Sequence, residues 1–306
     1  MINIVGKRNW FFLVSILVII AGIISLAIFG LEPGVDFSSG TTMTLRFDTD
    51  VEQSQLRQQF ADLGHDEAMI QRTNDGDFFV RISEITSEER HALVAGLESK
   101  LSTEVIIRDS YTVSPIIATE TGRNAAIAVG IAALAMLVYI AWAFRRMPKP
   151  FRWGTCAIIA LIHDVLVVMG IFSVLGWVAG VQVDAMFITG MLTIVGYSVN
   201  NTVVVFDRIR ENFSKGISKD FEVTVNSSIL ETLARSLNTS LTTLFVVLAI
   251  FLFGGVTIHY FVLVLLIGVI AGTYSSICLA APLLVVWEKG EWGKFFSWLS
   301  FSRKSA

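Results

Sequence analysis

Only two cysteines occur in 306 residues, Cys156 and Cys278, and both lie in apolar runs. That placement reads as small packing side chains and excludes a disulfide framework. No His, Cys, Asp or Glu spacing has the form of a zinc site, so neither a metal nor a cofactor is expected. A phosphate-binding glycine loop, a nucleophile elbow and a His-Glu-x-x-His string are all missing, so the chain is read as a non-enzyme. Nucleic acid is not an expected partner. Charged residues make up only 16% and prolines number 5. Apolar side chains take their place, with 54% hydrophobic residues and a mean hydropathy of +0.67. This combination points to a polytopic membrane protein, with the lipid bilayer as its surroundings.

The charges that remain are unevenly spread. Residues 32–120 carry 17 acidic and 7 basic side chains, a net −10, whereas the rest is net +7. An acidic domain outside the bilayer and a basic membrane portion account for the split. Residues 1–9 form a short segment with Lys7 and Arg8, followed by a first span at 10–30 with Trp10 at an interface position. That run is too long for a signal-peptide core and lacks a small-residue cleavage site, so it is expected to stay as an anchor. Further spans are expected at 124–144, 154–178, 183–206, 237–253 and 260–287, with a mixed-charge connector over 207–231 and a tail at 288–306. Six spans place both termini on one side. Lys7, Arg8, the four cations of 145–152, Arg208, Arg210, Lys215, Lys219 and the basic tail share that side, which the positive-inside rule makes cytoplasmic. Tail aromatics such as Trp292, Phe295 and Trp298 fit an interfacial helix or a disordered tail with aromatic anchors.

Residues 31–123 read as a soluble extracytoplasmic domain. Met43, Leu45 and Phe47 alternate with polar residues as in a strand, and Leu56, Phe60 and Leu63 have helical spacing. Residues 68–72 and Phe78, Val80 and Ile82 form two more strands around a turn at Asn74-Asp75-Gly76. Thr86 and Glu89 fit a capping box opening a second helix, and 105–108 is the last strand. The order βαββαβ predicts an α+β, ferredoxin-like unit. Its strand edges offer β-addition to an extended peptide, with Phe78–Ile82 as the segment to probe.

Everything in the membrane is expected to pack around residues 190–212, an apolar helix that carries Tyr197, Ser198, Asn200, Asn201 and Thr202. Polar groups at membrane depth are unfavourable unless they face protein or water. Asp164 in the third span, Asp207 ending the fourth and Arg235 opening the fifth are the charges nearest the bilayer core, and each is a candidate for an ion route. Against that, Asp207 sits beside Arg208 and Arg210 at an interface, Arg235 is able to snorkel, and His163 fits a bond to a backbone carbonyl. Tyr197 and Asn201 share one helix face, and Arg235, Asn238, Thr239 and Thr242 share another. Gly268 and Gly272 form a close-packing GxxxG.

Several strings together resemble the SecD/SecF protein-export family, and within it the smaller, SecF-type subunit. They are GVDFSSGT from Gly34, His163-Asp164-Val165, GYSVNNTVVVFDRIREN from Gly196, SSILETLARSLNTSLTTL from Ser227, and IGVIAGTYSSI from Ile267. The likeness runs from about residue 7 to 287, and the six-span layout also resembles half of an RND-type transporter. It implies a SecD-like partner, the Sec channel and unfolded exported chains as contacts, an inner-membrane location, and use of a proton or sodium gradient. It also implies ion-coupling roles for the positions of Asn201 and Arg235. Here the sequence departs from the family, which usually has Asp where Asn201 stands. An amide does not titrate near neutral pH, so Asn201 is no proton carrier. Arg235 then needs another partner: Asn201 through a hydrogen bond, Asp207, Asp164, or an acid of the partner subunit. A milder departure is Ser38-Ser39, where Thr-Gly is common. Two other readings stay open, an uncoupled translocon scaffold and a stand-alone small-molecule exporter.

Overall fold

The structure, a computed structural model, describes residues 3–73 and 75–291. Asn74 of the expected turn and the aromatic tail from Trp292 lie outside the described residues. The chain divides into two compact units: residues 33–127 with 182–185, and the remainder.

The smaller unit opens with a single helical turn, α2 (Val35–Ser38; α1 belongs to the membrane unit). Then follow β1 (Gly40–Phe47), α3 (Gln53–Asp62), β2 (Met69–Arg72), β3 (Phe78–Ile82), α4 (Ser87–Leu101) and β4 (Val105–Val113). The four strands form one antiparallel sheet in the order β2-β3-β1-β4. Met43 stands opposite Val80 on one side and Ser110 on the other, and a bulge falls between Thr44 and Leu45. Alternate residues of the strands meet the apolar faces of α3 and α4, burying Met43, Leu45, Leu56, Phe60, Phe78, Val80 and Leu97. The Thr86 hydroxyl accepts from the Glu89 N–H and the Glu89 carboxylate accepts from the Thr86 N–H, a complete capping box at the start of α4. One reading needs correction. β3 is an inner strand paired on both sides, so Phe78–Ile82 has no free edge; the sheet edges are β2 and β4. The loop 182–185 belongs to this unit, with the Gly34 N–H donating to the Val183 carbonyl at 2.7 Å.

The larger unit is helical. It comprises α1 (Arg8–Phe29), most of α5 (Pro115–Ala143), α6 (Pro150–Ala179), α7 (Ala185–Ser214), α8 (Phe221–Phe253), α9 (Val256–Ser275) and α10 (Ala281–Lys289). A π-helical turn, Ser276–Ala280, joins α9 to α10 without a break, so among the described residues six helices are long and apolar enough to cross a membrane. The fourth and sixth spans are the central ones. Half of the most apolar stretch of α7 is buried, and 56% of that of the last span, against 6% in α5.

Glycine sets the tightest contacts. A Cβ on Gly268 would lie 2.1 Å from Ile194 Cδ1 and one on Gly272 3.1 Å from Ser198 Cβ, so α9 packs directly on α7. α1 and α6 meet at Gly22 and Gly170, beside a buried Ser25–Ser173 hydrogen bond of 2.9 Å. At the end bearing the N-terminus, Arg8 pairs with Glu222 at 2.9 Å and with Glu291 at 2.7 Å, and Lys289 pairs with Glu222 at 2.6 Å. The helices outrun the hydropathy windows. α7 continues to Ser214 and α8 already begins at Phe221, both within the segment 207–231 read as a connector. The extra turns of α8 are amphipathic, burying Thr224, Val225, Ser228, Ile229 and Thr232 while Glu231 faces out.

Candidate functional site

Asp164 is the centre of the buried polar groups. It lies midway along α6 and is fully enclosed, at 0% exposure. The neighbouring His163 does not seek a backbone carbonyl; its Nδ1 lies 3.0 Å from Asp164 Oδ1. From α7, the Ser198 hydroxyl donates to Asp164 Oδ2 at 2.5 Å. From the last residue of α9, the Ser275 hydroxyl donates to the same oxygen at 2.7 Å. The close approach of Gly272 to Ser198 permits this, because a larger side chain would keep α9 from bringing Ser275 within reach. Tyr274 stacks on the His163 ring with centroids 6.0 Å apart, and its hydroxyl donates to the Phe11 carbonyl at 2.8 Å. One residue into the π-turn, Ser276 Oγ lies 3.0 Å from Thr202 Oγ1.

A second hydroxyl group joins α7, α8 and α9. The Tyr197 hydroxyl donates to Ser240 Oγ at 2.9 Å, and Thr273 Oγ1 lies 2.7 Å from that same oxygen.

The other sequence candidates separate into a buried and an exposed set. Asn201 is buried, and its Nδ2 has no hydrogen-bond partner among the described residues. Such an orphaned donor costs about 1–3 kcal/mol. Arg235, Asn238, Thr239, Thr242 and Asn200 are all exposed. Thr239 and Thr242 turn their hydroxyls back to the Arg235 and Asn238 carbonyls, each at 2.9 Å. The Arg235 side chain has neither hydrogen bond nor ion pair among the described residues, so the expected bond to Asn201 is not made. Asp207 does not reach Arg235 either: it pairs with Arg210 at 2.5 Å, one turn along.

Sequence reading therefore found Asp164 and missed what holds it. Ser275 and Tyr274 sit in an apolar run, inside a string that resembles the family, and their role appears only when α9 meets α6. Among the described residues no group of three His, Cys, Asp or Glu could hold a metal ion.

Comparison with known proteins adds to this. Residues 94–290 match the family model "Protein export membrane protein SecD/SecF, C-terminal", and residues 24–51 match the SecD/SecF GG motif. The chain is 45% identical over 299 residues to the protein translocase subunit SecF of Anaerolinea thermophila, covering 97% of each. It is 33% identical to the protein translocase subunit SecDF of Bacillus subtilis, matching 94% of this chain and 38% of that longer one. Among solved structures, the crystal structure of SecDF, a translocon-associated membrane protein from Thermus thermophilus, superposes with a TM-score of 0.84 at 34% identity. That match covers 94% of this chain and 39% of that one.

Proposed function

Since the chain belongs to the SecD/SecF family of protein-export membrane proteins, we propose that it works as a SecF-type subunit which draws on a proton or sodium gradient to assist export across the inner membrane. It would do so beside a SecD-type subunit and the Sec channel, as a transport component rather than an enzyme. The observation that carries this reading is the exposed stripe of Arg235, Asn238, Thr239, Thr242 and Asn200 on α7 and α8. A cation, amides and hydroxyls left uncovered on a membrane-spanning helix are unfavourable unless they meet protein or water. A face of this kind is suited to a partner helix that offers a carboxylate to Arg235 and hydrogen bonds to the rest. The sheet order and the two helices on one face support a ferredoxin-like domain, placed outside the cytoplasm to meet the partner's domains or an emerging chain. The shared side of Lys7, Arg8, Arg145, Arg146, Lys149 and Arg152 supports cytoplasmic termini.

A second reading, an uncoupled scaffold, draws on Asn201, a buried amide that carries no proton at the polar centre of α7. One experiment separates the two. Cells depleted of their own SecF receive this chain with its SecD-type partner, and export of a secreted reporter is followed before and after the gradient is collapsed. Gradient-driven assistance that Arg235→Met weakens is the expected result. Assistance that survives collapse of the gradient leaves the scaffold.

A further inference from the structure

Among the described residues, Asp164 is the one fully enclosed carboxylate of the membrane unit, and its only charged or chargeable contact is His163, itself 4% exposed. The charged groups on the surrounding helices are engaged elsewhere. Arg8 of α1 holds Glu222 and Glu291, and Arg208 and Arg210 of α7 hold Glu211, Glu231 and Asp207. Glu288 and Lys289 of α10 pair with Arg152 and Glu222. Arg235 of α8 is exposed, and His259, in the first turn of α9, stacks on Phe251. The remaining titratable neighbours are Tyr274, stacked on His163, and Cys278 one turn beyond it.

The charge of the pair must therefore be balanced within the pair, because an isolated buried ion is costly. One shared proton achieves this in either of two ways. A protonated Asp164 Oδ1 donates to a neutral His163 Nδ1, or an imidazolium Nδ1–H donates to the carboxylate. When a proton leaves through His163 Nε2, the shared one stays on Nδ1 and a carboxylate remains. The Ser198 and Ser275 hydroxyls and a neutral His163 N–H are already aimed at it, three donors for one anion. Both states thus keep their hydrogen bonds.

We propose that His163 and Asp164 form a reversible proton-binding site inside the bundle, with Ser198 and Ser275 as positioning residues that hold the carboxylate while the proton is away. An N–H bond at His163 Nε2 forms when a proton arrives from water and breaks on release, while the shared proton stays between Nδ1 and Asp164 Oδ1. No electron moves and no other reactant is needed. That this proton drives export rests on the gradient-driven reading above; the binding itself does not.

The test is infrared difference spectroscopy on the full chain in lipid vesicles, switched between acidic and alkaline potassium buffers. The expected signal is a carboxylic acid C=O band that shifts in heavy water. Asp164→Asn removes it, and Asp207→Asn, at an exposed ion pair, leaves it. Ser198→Ala and Ser275→Ala each keep the band and move it to higher wavenumber, since the carbonyl loses a donor. These two lose one hydroxyl each and carry the test should Asp164→Asn not insert. A wild type with neither this band nor an imidazolium ring band in its place, or signals indifferent to Asp164→Asn and to both serine variants, overturns the site. So does a band abolished by exchanging potassium for sodium, which would make the occupant a metal cation. The band together with gradient-driven export that ignores Asp164→Asn upholds the site and refutes coupling through it.

Discussion

Replacing Gly170 by alanine probes the closest approach of α1 and α6. A Cβ at 170 would stand 2.6 Å from the Gly22 Cα, whereas a Cβ at Gly22 would stand 3.4 Å from both the Gly170 Cα and the Leu166 carbonyl oxygen. The obstacle at 170 is backbone and has no rotamer to turn to. Ordinary carbon contacts lie at about 3.5–4.0 Å, so Gly170→Ala must push the helices apart by about 1 Å. The Ser25–Ser173 bond, now 2.9 Å, then stretches beyond hydrogen-bonding distance. Its loss is worth about 0.6 kcal/mol in a membrane bundle. Overpacking in a close-fitted interior costs about 1–3 kcal/mol, so with the lost bond Gly170→Ala should lie about 2–4 kcal/mol below Gly22→Ala. Both variants share any helix-propensity gain of alanine over glycine, so their difference isolates the steric effect. Reversible unfolding of the full chain in mixed micelles measures it. Adding Ser25→Ala should cost little in the Gly170→Ala background and its full increment in the Gly22→Ala background. Equal stability of the two alanine variants would show that α1 and α6 do not meet at these residues.

Other tests address the remaining contacts. Gly268→Ala drives its methyl into Ile194, at a cost of about 1–3 kcal/mol, and Ile194→Ala in the same chain should recover part of that; strict additivity in micelle unfolding would refute the α7–α9 contact. Thr86→Ala should cost about 1 kcal/mol, read as faster amide exchange in the first turn of α4. The N–H and hydroxyl of Thr86 hold the Glu89 carboxylate below the usual 4.5. Its contribution is therefore complete above 4.5 and is lost as pH falls through the lower folded value. Exchange in that turn should accelerate through this acid range in the wild type and show no such step in Glu89→Gln.

Much of this architecture is legible in the sequence because bilayers and half-buried sheets impose simple periods. Unbroken apolar runs marked the spans, and the alternation of Met43, Leu45 and Phe47 marked a strand with one face buried. The capping box could be read from Thr86 and Glu89 because it is local. Where a segment is neither uniformly apolar nor alternating, hydropathy stops short. β4 runs on through Asp109, Ser110 and Thr112 because it pairs with β1, and the start of α8 is helical because its small polar side chains pack inward. The site divides in the same way. Asp164 stands out in a span by the cost of its charge. Ser198 and Ser275 are 77 positions apart, and only the crossing of α7 and α9 makes them neighbours of one oxygen. Arg235 and Asn201 are paired by the resemblance to the family, yet side-chain direction parts them, one outward and one inward.

The turn at Ser276–Ala280 has a consequence for counting along the last span. A π-turn takes in one residue more than α-helical winding allows, and each residue of an α-helix advances by about 100°. Spacings that share a face on either side of the turn are therefore off by one across it. Gly268, Gly272 and Ser276 follow the rule of four, but that rule does not carry over to Leu283 or Val286. Deleting one residue within the turn would give an even helix of the same composition in which these two apolar positions rotate by about a quarter-turn or more against Ser275. The surplus residue acts as a phase shifter, allowing one continuous helix to present the Ser275 hydroxyl to Asp164 at one level and packing side chains to its neighbours at the next.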